Sequence, residues 1–202
     1  MTRHLRSVDS IAQQQLGLMT TRQWLAGGGT YDELAWAVRR GRIVRVRRGV
    51  YRMAGAPITR DQEVLAACLA AGPSAVASHG SAGELWGLWG WIRAETVELT
   101  AFGGPHPELG GVLTHRVPEL PLGHRRECRG IPATSPARTV CDLAPRLRSD
   151  VLERTVDDAQ RRRLLRLPEL HQCALSLVAE GRPLLGPLVD LLGRLGLEHH
   201  AG

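Results

Sequence analysis

Apolar residues recur at Val8, Ile11, Ala12 and Leu16, a spacing of three and four that predicts an amphipathic helix ending at Gly17. A second, short helix is predicted around Trp24 and Leu25, capped by Thr20 or Thr21 and broken by Gly27-Gly28-Gly29. Thr30-Tyr31-Asp32-Glu33 has the form of a capping box, with the Thr30 hydroxyl on the N3 amide and Glu33 reaching back to the cap residue. It opens a third helix in which Leu34, Ala37 and Val38 face inward and Glu33, Trp36 and Arg40 outward, until Gly41 ends the run. From Ile43 to Arg52 two short β-rich runs flank an Arg-Gly turn and predict a hairpin.

Helix, short helix, glycine turn, helix and basic hairpin is the order of a winged helix-turn-helix, which we expect over residues 1–56. Ala54-Gly55-Ala56-Pro57 reads as a boundary. Thr59-Arg60-Asp61-Gln62 is a further capping box, opening a helix through Ala71 that stops at Gly72-Pro73. Ser78 is placed to cap a helix near residues 81–88, and strand character follows at 95–102, 112–117, 126–128 and 131–134. Ser135-Pro136 is a cap with proline at N1, and Ala137, Val140, Cys141 and Ala144 keep helical spacing. Three more helices are predicted near 150–160, 168–179 and 187–195. The expected class is α+β, with an α/β domain and a small sheet at 57–180 and a C-terminal helix and tail at 181–202.

Charge changes the picture more than composition does. Residues 1–60 carry eleven arginines against three acids, a net of +8, whereas the other 142 residues carry fifteen arginines against seventeen acids, a net of −2. The basic character belongs to the N-terminal part, as expected for nucleic-acid contact. No lysine is present, which excludes a Walker A phosphate loop, a Schiff-base enzyme and a lysine-dependent nuclease core. Cys68, Cys128, Cys141 and Cys173 fit neither a C-x-x-C pair nor a dense disulfide framework and read as buried free thiols. With no apolar leader or membrane-length stretch, the expected location is the cytoplasm, away from any membrane.

Candidate chemistry concentrates in Arg39, Arg40, Arg42, Arg45, Arg47, Arg48 and Arg52, seven arginines within fourteen residues. Such a cluster suits phosphate contacts, while Thr30, Tyr31, Trp36 and Arg40 on the outward face of the third helix are candidates for reading base edges of double-stranded DNA. Asp32 and Glu33 sit awkwardly beside phosphates, although the cap accounts for Glu33. Trp86, Trp89 and Trp91 suit core and turn packing better than a base-stacking platform, since Arg93 alone lies near. Ser78-His79-Gly80-Ser81 misses a nucleophile elbow because His79 stands where glycine is needed. A metal- or nucleophile-dependent hydrolase using His79, Glu84 and His115 is a rival reading, and an RNA-binding or protein-interaction module another. His199-His200 offers at most adventitious metal binding. No cofactor and no catalytic or metal-ligating set is expected.

The stretch Gly41-Arg42-Ile43-Val44-Arg45-Val46-Arg47-Arg48-Gly49-Val50-Tyr51 resembles the wing of AbiEi-type antitoxins of type IV toxin-antitoxin pairs. Segments 78–88 and 130–144 resemble two further blocks of actinobacterial proteins of this group. The resemblance implies a winged helix-turn-helix joined to an α/β antitoxin-like domain. It also implies a non-enzymatic regulator that represses its own operon at inverted repeats and counters a nucleotidyltransferase toxin without stably binding it. By position, Arg42, Arg45, Arg47 and Arg48 match the basic wing and inherit a DNA-contact role. Many relatives continue into a very-short-patch-repair-like endonuclease domain. This chain stops at Gly202 without its acidic motif, so no nuclease activity is expected.

Overall fold

The computed structural model of the chain describes residues 3–90, 95–181 and 185–195, with side chains from residue 9 onward. Trp91, Arg93 and His199-His200 lie outside the described residues, as do the Val8 side chain and parts of the segment 181–202.

Helix α1 (Arg3–Gln14) buries Ala12. It ends before the expected Gly17, because Leu16 takes a left-handed conformation (φ 55) as the chain reverses into strand β1 (Leu18–Thr20), an element the sequence pattern did not predict. Thr20 caps α2 (Thr21–Ala26): its hydroxyl accepts from Gln23 N at 3.1 Å while its own amide donates to Gln23 Oε1 at 2.8 Å. Trp24 then spans the glycine turn and donates from Nε1 to the Thr30 carbonyl at 2.9 Å. A side chain at Gly29 would collide with that indole, so the close approach requires glycine.

The capping box predicted at Thr30 is formed, with Glu33 N donating to Thr30 Oγ1 at 3.2 Å and Thr30 N to Glu33 Oε2 at 2.9 Å. Helix α3 (Tyr31–Arg39) buries Leu34 and Ala37, but Val38 is 37% exposed, contrary to expectation. So short a helix meets its neighbours through the narrow 34/37 stripe alone. The hairpin of β2 (Ile43–Arg47) and β3 (Val50–Met53) turns through Arg48-Gly49, where Gly49 has φ 70. With β1 on the other edge of β3, the three strands form an antiparallel sheet in the order β1-β3-β2. One face packs Met19, Ile43, Tyr51 and Met53 with Trp24, Leu34 and Ala37.

The other face, through Leu18 and Val50, meets α4 (Arg60–Ala71). That helix touches all three strands of the small sheet and also the larger sheet on its far side, which is why 64–71 is apolar almost all round. Residues on either side of the expected boundary at 56 therefore share one core. Thr59 caps α4 by accepting from Gln62 N at 3.1 Å, but the second half of the predicted capping box is absent. Gln62 is buried, and its Nε2 instead donates to the Leu16 carbonyl at 2.6 Å, tying the α1-β1 junction to α4. A buried Gln62 amide left without a partner costs more than a second cap bond at the surface contributes. Gln62→Ala is expected to destabilise the protein by about 1–3 kcal/mol in urea denaturation, and no measurable change would refute this role.

The larger sheet has the order β6-β5-β4-β8-β7, built from β4 (Ala75–Ala77), β5 (Val97–Phe102), β6 (Val112–Val117), β7 (Arg125–Cys128) and β8 (Ile131–Thr134). Pairs β4-β8 and β5-β6 are parallel and the others antiparallel. Strand β4, three small residues, carries too little pattern to be read from sequence. Val97, Leu99 and Ala101 face α4, so by strand alternation Glu98 and Thr100 face the opposite layer, where α5 (His79–Trp86) and α6 (Pro136–Leu143) pack. Helices α7 (Ser149–Arg161), α8 (Leu167–Ala179) and α9 (Gly186–Arg194) bury a second core around α6.

The architecture is mixed α+β with small sheets. Among the described residues no helix is long and apolar enough to cross a membrane, and the four cysteines are free and buried.

Candidate functional site

The predicted site residues divide between two faces of the small sheet. Trp36, 42% exposed, lies on the outer side of α3, with the guanidinium of Arg42 4.9 Å and that of Arg40 5.6 Å from its ring centroid. Tyr31 is 67% exposed at the start of the helix, while the Thr30 hydroxyl is engaged in the cap. Arg39 and Arg48 are exposed, and Arg45 lies opposite Tyr51 on the face that α3 covers. None of Arg39, Arg40, Arg42, Arg45 and Arg48 has a carboxylate partner among the described residues.

Arg47 and Arg52 depart from the expected cluster. A bulge between Arg45 and Arg47 puts Arg47 opposite Val50, on the face toward α4, and its Nη1 donates to the Gly110 carbonyl at 3.1 Å. Arg52 pairs with Leu18 and shares that face, half-buried. Alternation along β3 decides this, since positions 50 and 52 point away from 51 and 53. Arg60, part of the N-terminal charge excess, pairs with Glu63 at 2.7 Å and Glu84 at 3.2 Å.

A second constellation occupies the layer between the larger sheet and helices α5 and α6. The His79 and His115 rings stack with centroids 3.6 Å apart and planes 19° apart. His115 Nε2 donates to Glu98 Oε2 at 2.9 Å, and Arg146 Nη1 donates to both Glu98 oxygens at 2.8 and 3.0 Å. Ser78 Oγ is hydrogen-bonded to His79 Nδ1 at 3.0 Å rather than capping α5, which corrects its expected role. Glu98 N donates to Ser81 Oγ at 2.9 Å. Beside them on α6, the buried Arg138 and Asp142 pair at 2.9 Å. His79, itself the first residue of α5, has φ 47, a strained conformation for a non-glycine residue that places its ring in this layer.

Burial, outweighing the pull of Asp142, lowers the His79 pKa to about 4. Burial alone would raise the Glu98 carboxyl, but hydrogen bonds from His115 and Arg146 prevail and hold it at about 2. Both native values lie below the ordinary ones, so the unfolded chain binds more protons and stability falls as pH falls. His79 contributes its share of stability above pH 6.5 and loses it on the way down to pH 4, by roughly 3 kcal/mol. Glu98 adds a loss of the same sign below pH 4.5. Urea denaturation at pH 7.5 and pH 4.5 is expected to show the drop, and equal stability at both would contradict it.

Sequence spacing brought His79 and His115 into consideration but missed Glu98 and Arg146, which lie 17 and 48 positions apart from their partners and meet only through strand and helix packing. Glu84, the third residue of the rival hydrolase reading, is not among them, because it pairs with Arg60. Ser81 is held by the Glu98 amide. Trp86 packs between the two larger cores and donates to the Thr134 carbonyl at 2.9 Å, whereas Trp89 is 41% exposed with Arg154 5.5 Å from its ring centroid.

No family model and no curated protein matches the sequence. Among solved structures, the chain is similar to the crystal structure of the Rv2827c protein from Mycobacterium tuberculosis, with a TM-score of 0.54 and 19% identity. The likeness is one of fold. It covers 96% of this chain and 77% of that one, so both sheets and the C-terminal helices fall within it.

Proposed function

We propose that residues 1–56 form a winged helix-turn-helix that binds double-stranded DNA, and that the protein is a non-enzymatic transcriptional regulator acting in the cytoplasm. The element order α1-β1-α2-α3-β2-β3 and the sheet order β1-β3-β2 support the assignment, with α3 as recognition helix and the β2-β3 hairpin as wing. The observation that carries it is the set of five exposed arginines, two of them resting on Trp36, that lack carboxylate partners among the described residues. Tyr31, Trp36 and Arg40 would meet base edges in a major groove, and Arg39, Arg42, Arg45 and Arg48 the flanking phosphates.

The resemblance to AbiEi-type antitoxins extends the proposal to autorepression at inverted repeats. It also extends it to opposition of a nucleotidyltransferase toxin without a stable complex. The test is fluorescence anisotropy of a duplex from the protein's own upstream region across a salt series. Four phosphate contacts imply a slope of log K against log salt of about −3.5. A slope near zero, or tighter binding to single-stranded RNA that is lost in Trp89→Ala, would refute the reading in favour of the RNA-binding alternative.

A further inference from the structure

We propose that His79, Glu98 and His115 form a binding site for one divalent transition metal ion of the zinc class, with Nε2 of each histidine and a Glu98 oxygen as ligands. This is independent of the DNA-binding reading, because every residue involved lies outside the small sheet and its helices.

The donor set comes first. One ligand atom from each of the three residues lies within 4.8 Å of the others, and His115 Nε2 and Glu98 Oε2 are 2.9 Å apart. Ligands about 2.0–2.1 Å from a tetrahedral ion stand about 3.3 Å from one another, and each imidazole binds in its own ring plane, so closing the site requires the stacked His79 and His115 rings to rotate apart and converge on the ion. Two imidazoles and a carboxylate, with no thiolate, select zinc, cobalt or nickel over magnesium or calcium. To bind through Nε2, His115 must carry its ring proton on Nδ1 instead, so its hydrogen bond to Glu98 gives way to the bond to the ion.

The surroundings are those of a supported site. Ser78 Oγ engages His79 Nδ1, leaving Nε2 for the ion. In the metal-free protein Arg146 Nη1 occupies both Glu98 oxygens. Thr100 Oγ1, fully buried and without a hydrogen-bond partner among the described residues, belongs to the same strand face as Glu98 and has His115 as its strand neighbour. Three protein ligands leave a fourth position for water, and the His115 and Arg146 side chains, 24% and 38% exposed, give access to it from solvent.

Arg146 fixes the sign of one outcome. Its charge balances Glu98 in the metal-free protein and opposes a dication, so it must swing outward when the ion binds.

The experiment uses the full chain with His199→Ala and His200→Ala, which removes the histidine pair near the C-terminus. Cobalt titration is expected to give one saturable equivalent by visible absorption, and zinc-edge X-ray absorption of the loaded protein two imidazole nitrogens with oxygen completing the shell. His115→Ala is expected to weaken binding by about a hundredfold or more. Arg146→Gln is expected to tighten it at least about fivefold. Absence of a saturable cobalt spectrum, a zinc shell containing sulfur or fewer than two imidazoles, unchanged affinity in His115→Ala, or weaker binding in Arg146→Gln each overturns the proposal. The wild-type-ligand spectra decide the matter even where the His115 variant fails to fold.

Discussion

Asp142→Ala is expected to lower the free energy of unfolding by about 3–5 kcal/mol, because it strands the Arg138 guanidinium inside the protein. Arg138 and Asp142 sit one helical turn apart on α6, 1% and 5% exposed, and every residue of that helix is buried. Arg138 Nε donates to Asp142 Oδ1 at 2.9 Å and Nη1 contacts His124 Nδ1 at 3.3 Å, while Nη2 has no partner among the described residues. With the carboxylate gone, a buried cation has no countercharge on its own helix. The loss approaches the whole stability of many domains and corresponds to a fall in Tm of about 10 °C. Removing both charges together, as Arg138→Met with Asp142→Leu, is expected to recover much of it, since the desolvation cost disappears with the pair. Thermal and urea denaturation of the single and double variants make the comparison. A single-variant loss below about 1 kcal/mol would show that solvent reaches the pair.

Arg39→Ala/Arg42→Ala/Arg45→Ala is expected to abolish most duplex binding and to flatten the salt slope by about 3, one per phosphate contact. Arg47→Ala/Arg52→Ala is expected to leave the slope nearly unchanged. The contrast rests on the tertiary structure, because all five residues belong to one basic stretch of sequence. The first three are exposed or lie on the face that α3 covers; of the other two, one bonds the Gly110 carbonyl and the other shares the face of Leu18. Trp36→Ala in the wild-type background removes the ring against which Arg40 and Arg42 rest and is expected to weaken binding without altering the slope. Equal effects of the two arginine sets in the anisotropy titration would mean that the hairpin contacts DNA from both faces.

Local signals alone were enough for much of the fold. The Thr30 capping box, the Arg48-Gly49 turn, the alternation of 112–117 and 131–134 and the Ser135-Pro136 helix start each act over a few residues, so their chemistry is written in adjacent letters. The concentration of arginine before residue 61 is likewise a property of the chain itself. Three-residue strands such as β1 and β4 escaped notice because a period of two needs more positions to stand out. Gln62 escaped because one side chain can satisfy either its own helix end or a carbonyl 46 positions away. Only tertiary structure sorted the arginines onto separate faces, since a single bulged residue in β2 reverses the side from which its neighbours project. It alone also brought His79, Glu98, His115 and Arg146 together, because contacts between distant segments depend on how sheets and helices stack, and no short-range pattern encodes that stacking.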